Sequence, residues 1–178
     1  MVIADTVRWL ERAVIGLTLC PFAKATHIKG QIHYAVCLAD TVEALLEALI
    51  AALQALHRAN PDDTDTTLLI HPNVLNDFLD YNDFLVQADA ALVELTLDGV
   101  IQIASFHPQY QFADTAPDDI SNFTNRSPYP TLHLLREASV SRAVAAFPEA
   151  SEIFDKNIAT MHSLGHRGWR DLKLTAAD

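Results

Sequence analysis

SFHPQYQFADTAPDDISNFTNRSPYPTLHLLRE, residues Ser105 to Glu137, is the stretch on which the reading of this chain turns. It follows an apolar, strand-like run (Val100–Phe106) and then spends residues 107–130 on Pro, Asp, Asn, Ser and aromatics. A connection that long inside a compact domain is either functional or disordered. Its composition favours order: Phe106, Tyr110, Phe112, Phe123 and Tyr129 alternate with His107, Asn122, Asn125, Arg126 and His133, whereas disordered segments are poor in aromatics. Residues 107–130 are therefore expected to form an ordered, ligand-facing loop. After it, Pro130 is placed to open a helix through Leu132, Leu135 and Arg136.

Upstream, the pattern alternates between periods of 3.6 and 2. Asp5 is positioned to cap a first helix carrying Val7, Leu10, Val14 and Leu17 inward. Pro21 marks the first turn of a short helix with Cys20 at its N-cap, and Gly30 ends that region. Residues 31–38 read as a strand. Asp40 and Glu43 resemble a capping box opening a long helix with Leu45, Leu46, Leu49, Leu53 and Leu56 inside. Thr66–Ile70 is a second strand, closed by His71-Pro72; residues 74–96 are helical with a break expected near Tyr81-Asn82. The third strand, Val100–Phe106, is closed by His107-Pro108. Ser139 begins a further piece ending before Pro148, residues 151–164 form the last helix with Gly165 as its stop, and the tail is expected to fray from about Trp169.

Strands alternating with helices of this length argue for βαβ units. The expected fold is α/β: one domain over residues 1–178, with a small, largely parallel sheet of three, possibly four, strands flanked by five or six helices. In such a sheet, ligands bind beyond the carboxyl ends of the strands. Those ends carry Cys37, His71 and His107, so the site is placed there, with the run into Asp118, Asn122, Asn125 and Arg126 folding over it. A His-Pro at a strand end can equally be a polar stop before a turn.

Cys20 has two readings. At a helix N-terminus, with Lys24 one turn on, its thiolate would be favoured and the residue could act as a nucleophile. Bracketed by Leu19, Pro21 and Phe22, it could instead be a small buried hydrophobe. The tetrapeptide Cys20-Pro21-Phe22-Ala23 also resembles the thiol-bearing turn of glutaredoxin-like and omega-class glutathione-transferase proteins. There an extended strand precedes the thiol, but Val7–Leu17 has helical spacing.

The chain has 178 residues, half of them apolar, and a formal charge of −11. That length supports a sizeable core. The negative field disfavours nucleic acid and anionic lipid, which require a basic patch. With no apolar run near the ~18 residues of a membrane span and a charged N-terminus, a cytoplasmic location without membrane association is expected. Two cysteines, Cys20 and Cys37, are too few for a disulfide framework.

The segments GLTLCPFAKA, TTLLIHPNVLNDFLDYNDFL, GVIQIASFHPQYQFA and ISNFTNRSPYPTLHLLREASVSRAVAAFP resemble the bacterial and plant family catalogued as domain of unknown function family 1415, over nearly the whole chain. The resemblance implies a soluble single-domain protein and names no reaction or cofactor. Family motif residues would fall on Cys20, His71, Asp77, Tyr81, Asp83, His107, Tyr110, Gln111, Asn125, Arg126, His133 and Arg136; Cys37 is outside the motif.

Three functions compete. The first is binding or turnover of a small anionic metabolite. Arg126 and Arg136 would hold its carboxylate or phosphate, Lys24, His71, Tyr110, Gln111, Asn125 and His133 would line the site, and His107 with Cys20 would do the chemistry. Arg126 and Arg136 could instead pair with Asp118, Asp119 or Glu137 to pin the loop. The second is a zinc or iron site built from His71, His107 and His133, although no ligand pair shares one element. The third is a non-catalytic module in which the aromatic loop packs in a homo-oligomer.

Overall fold

The computed structural model describes residues 1–147 and 150–176. In chain order these form α1 (Val2–Trp9), extended by a wide π turn over Leu10–Ile15, then α2 (Ala23–Ile28), β1 (Ile32–Val36), α3 (Val42–Arg58) and β2 (Thr66–Ile70). There follow α4 (Phe78–Glu94), β3 (Ile101–Phe106), a 3-10 turn at Ile120–Asn125, β4 (Thr131–Arg136), α5 (Glu137–Ala146), a short turn, and α6 (Ile153–Asp171). Pro148, read from sequence as the stop after α5, lies outside the described residues. No helix among them is long and apolar enough to cross a membrane.

The sheet is mixed, not largely parallel. Its order is β1-β2-β4-β3: β1 and β2 run parallel, and β4 lies antiparallel between β2 and β3. The helix expected from Pro130 is therefore a strand. Leu132, Leu135 and Arg136 fit a helical spacing, but Leu132 and Leu134, two apart, are the residues fully buried. They pair with Leu69 of β2 and Ile103 of β3 respectively. Beside β2 and β3 run edges of unpaired backbone donors and acceptors, and only an extended segment satisfies both at once. Residues 107–130 are thus the connection of one very long antiparallel hairpin, leaving at Phe106 and returning at its register partner Thr131.

Helices cover both faces. On one, Leu45, Leu49, Leu53 and Leu56 of α3 and Tyr81, Phe84, Ala88 and Leu92 of α4 bury against Leu69, Ile101, Leu132 and Leu134. On the other, Trp9, Leu10, Ala13 and Val14 pack with Ile32, Tyr34 and Phe106, the Trp9 and Phe106 rings meeting edge to face at 5.2 Å. α3 is capped by Thr41, whose Oγ1 accepts from Ala44 N at 3.3 Å, in place of Asp40. α4 runs unbroken through Tyr81-Asn82, because its caps are good: Asp77 Oδ1 accepts from Leu79 N and Asp80 N.

Both chain ends depart from expectation. α1 starts at Val2, so Asp5 lies within it and does not cap it; at 2% exposure it accepts from Arg8 Nη1, Tyr129 Oη and Ala176 N. Arg12 holds the carbonyls of Leu172 and Lys173 at 2.8 and 3.0 Å. In α6, Gly165 breaks the helix with φ +63°, as its sequence position suggests, yet the helix resumes to Asp171. Beyond Trp169, where fraying was expected, Leu174 is buried against the α1 cluster.

Tyr81 closes the sheet end from which the long connection springs. Fully buried, its hydroxyl donates to Thr131 O at 2.9 Å and accepts from Phe106 N at 3.2 Å, bridging the last pair of the β3–β4 ladder. Tyr81→Phe leaves both backbone groups unpaired and should cost about 1–3 kcal/mol. Urea denaturation checks this: a midpoint unchanged from wild type would show that the bridge contributes nothing.

Candidate functional site

β2 and β3 end in the same direction, one strand apart, so their terminal histidines converge. Both are fully buried against the Tyr81 ring: His71 stacks at 5.7 Å and His107 lies tilted at 5.1 Å. Their ring nitrogens face the chain itself. His71 Nδ1 donates to Val74 O at 3.0 Å. His107 Nδ1 accepts from Gln109 N at 3.0 Å, leaving Nε2–H to donate to Leu75 O at 3.1 Å. Two successive carbonyls of the β2–α4 loop, where Leu75 sits at φ +57°, are thereby fastened by the two strand ends. Burial pushes the His71 pKa down to about 4, with a smaller contribution from His107, and lowers that of His107, where the Arg126 charge acts in the same sense against the Leu75 carbonyl and Asp77. Both are neutral supports in this geometry; His71 Nε2 is buried without a partner.

The segment after His107 is held by polar side chains reaching backbone. Asn122, fully buried, accepts at Oδ1 from Phe112 N and Thr115 Oγ1 and donates at Nδ2 to Ala116 O. Asp119 caps the 3-10 turn through Ser121 N and Oγ, which holds its carboxyl below the ordinary range. Asn125 donates to Ser105 O at 3.2 Å and accepts at its carbonyl from His107 N. Gln111 Nε2 donates to Thr115 O. Tyr110 packs between Phe78 and Phe112, each 5.1 Å away. Phe112, Phe123 and Tyr129 are half-buried.

Arg126 stands apart. Its Nε donates to Tyr110 O at 3.2 Å, its Nη2 to Pro117 O at 2.7 Å, and its guanidinium lies 4.0 Å over the Phe123 ring. Both hydrogen-bond partners are neutral carbonyls. Burial lowers its pKa, and no carboxylate among the described residues pairs with it. It faces a groove of about 380 Å³ between the connection (Pro108, Phe123, Ser127, Pro128) and the C-terminal segment (Trp169, Arg170, Leu174, Thr175). The volume is within the range of small-molecule sites. The Arg170 side chain is exposed and has no hydrogen-bond or ion-pair partner among the described residues. A second groove, about 520 Å³, lies between Phe112, Thr124 and Asn125 and the Phe154, Asn157 and Ile158 face of α6.

Other candidates lie elsewhere. Arg136 pairs in register with Ile101, at the opposite end of the sheet, where its Nη2 donates to the carbonyls of Leu56, Ala59 and Thr64. It caps the negative end of α3. His133 is in mid-strand on the other face, near Phe106; Thr66 Oγ1 donates to Leu134 O and so accepts from His133 Nε2 at 2.7 Å, and burial pushes its pKa down to about 4. The three histidines therefore do not converge, and no group of three His, Cys, Asp or Glu among the described residues is placed to hold a metal. Lys24 is exposed on α2. Cys20 packs against the Trp9 cluster. The N–H groups of Phe22 and Ala23 do approach its sulfur, but burial outweighs them and pushes the thiol up.

The sequence reading missed Trp169 and Arg170, gave Asp5 only as a helix cap, and named Asn122 without its role as a buried loop brace. Asn122 was among the polar residues interleaved in the loop, yet no local pattern distinguishes a buried Asn from its neighbours. The partners of Asp5 lie more than 120 residues away, beyond any spacing rule.

Two measurements test the chemistry of these groups. Since His71 and His133 are held neutral, with pKa values near 4 against about 6.5 unfolded, the unfolded chain binds more protons between those limits. Their stabilisation is complete above pH ~6.5 and is lost as the pH falls toward 4. The unfolding free energy from urea titrations should drop through this window, by about 3 kcal/mol for His71 alone, and a flat profile would contradict burial of the neutral rings. For Cys20, alkylation by iodoacetamide in a Cys37→Ala background should titrate above the ~8.5 of a free thiol; a midpoint below it would restore the nucleophile reading.

Comparison with known families agrees with the family resemblance of the sequence. Residues 1–171 match the model of a family described as a protein of unknown function, DUF1415. No curated protein and no solved structure shows significant similarity to the chain. With all but its last residues covered by the family model, the chain belongs to the DUF1415 family.

Proposed function

We propose that the protein binds a small anionic molecule, a carboxylate or phosphate carrying a flat apolar group, in the groove between residues 108–128 and the end of α6. One observation carries this reading: Arg126 is half-buried and stacked on Phe123 with only carbonyls for partners, in a chain of net charge −11. Withdrawing a guanidinium from water without a counter-charge is unfavourable, and a bound anion offsets it. The carbonyls orient the fork, and its remaining donor edge suits bidentate contact with an oxyanion. Arg170 supplies a second cation from the facing wall, and Phe123 and Trp169 supply apolar faces.

The anion and Arg126 are retained from the sequence reading, whereas His71, His107 and Arg136 become supports. No Asp, Glu, His or Cys lines the groove among the described residues. The groove is accordingly suited to recognition, and His107, next in the chain to Pro108, acts by holding the connection in shape.

Calorimetric titration with phenyl phosphate and with inorganic phosphate tests it. Both should bind, the former more tightly, and Arg170→Ala should weaken both by about tenfold or more. Arg126→Lys keeps the charge but not the fork, and should reproduce most of that loss. Trp169→Ala should weaken phenyl phosphate and spare phosphate. Absence of binding by either ligand, or undiminished binding to Arg170→Ala, would refute the reading.

A further inference from the structure

The solvent side of α4 carries a feature that neither the fold nor the groove uses. Its core face is settled by Tyr81, Phe84, Ala88, Ala91 and Leu92. On the opposite side Leu79, Val86 and Val93 are 70%, 73% and 62% exposed. They are seven residues apart, two helical turns each, so they form one straight line at the outermost part of the helix, with Ala90 also exposed beside it. Single exposed aliphatics need no explanation, but a surface helix ordinarily presents polar residues at its apex. Two of the three are β-branched valines, which helix propensity alone disfavours.

The flanks are of one sign. Asp80, Asp83, Asp89 and Glu94 are the charged residues of α4; it has no Lys, Arg or His. We infer that this seam is a docking surface for a partner protein that presents a basic amphipathic helix, its apolar heptad positions against Leu79, Val86 and Val93 and its Lys or Arg residues against the four acids. The seven-residue period is that of helix-on-helix packing, in which flanking charges select the partner. A second copy of this chain is disfavoured on the same ground: pairing α4 with itself sets acid against acid at every flank. An anionic membrane is disfavoured likewise.

Fluorescence anisotropy with three labelled synthetic peptides tests this on the full chain. One is a helix with Leu at its heptad positions and Lys on the flanks, one has the same composition scrambled, and one has Glu in place of Lys. The first should bind at least ten times more tightly than the others and weaken as salt rises. Val86→Glu should abolish that preference although it adds a negative charge, because it breaks the apolar line; Leu79→Ser/Val93→Ser should do the same with an unchanged circular dichroism spectrum. Equal binding of the Lys-flanked and scrambled peptides, or full retention by Val86→Glu, would overturn the proposal. So would a concentration-dependent dimer in sedimentation that Val86→Glu dissolves, which would assign the seam to a second copy.

Discussion

The Tyr81 hydroxyl, reaching from α4 to the last rung between β3 and β4, is the constraint on which the functional end of this molecule depends. The ladder must stop there so that residues 107–130 can leave and return, and stopping leaves a strand amide and a carbonyl turned toward the core. One phenol satisfies both. Its ring packs against two imidazoles, whose nitrogens hold the carbonyls of Val74 and Leu75, so a helix, two strand ends and a loop share one apolar, hydrogen-bonded cluster. Burial that makes the cluster stable also lowers the pKa of both its histidines and so favours their neutral form.

Arginines in this acidic chain are used in an unexpected way. Arg136 binds three carbonyls at the end of α3, Arg12 binds two on the C-terminal segment, and Arg126 binds two within the connection. Where carboxylates were expected as partners, backbone oxygens serve. For Arg136 the helix dipole provides partial negative charge. Arg126 has no such compensation, and this difference is what sets it apart from Arg136 as a candidate for binding an anion.

Much of the fold was legible because its signals are local. The span of β2, the termination of β3 at His107, the leucine stripe of α3 and the break at Gly165 each follow from a few neighbouring residues. β4 was not, because Thr131-Leu-His-Leu-Leu-Arg136 satisfies both a helical and a strand period and its choice is made by distant edges. The same holds for the site. Arg126 was recognisable from its residue type and setting, and the meeting of His71 and His107 from the direction of their strands. Which way the imidazoles face, and that Trp169 and Arg170 form the opposing wall, is decided by contacts with α4 and α1 that no spacing encodes.

Asp5 joins three parts of the chain that are made at very different times. Its carboxylate receives Tyr129 from the connection and the amide of Ala176 from the far end. On a polypeptide synthesised from its N-terminus, α1 and the sheet can assemble while residues 172–176 are still within the ribosome, but one wall of the groove cannot. Without residues 172–176 the sheet keeps all its pairings, whereas the groove loses Leu174 and Thr175 from the wall that faces Arg126, and Asp5 loses the amide that fastens that segment.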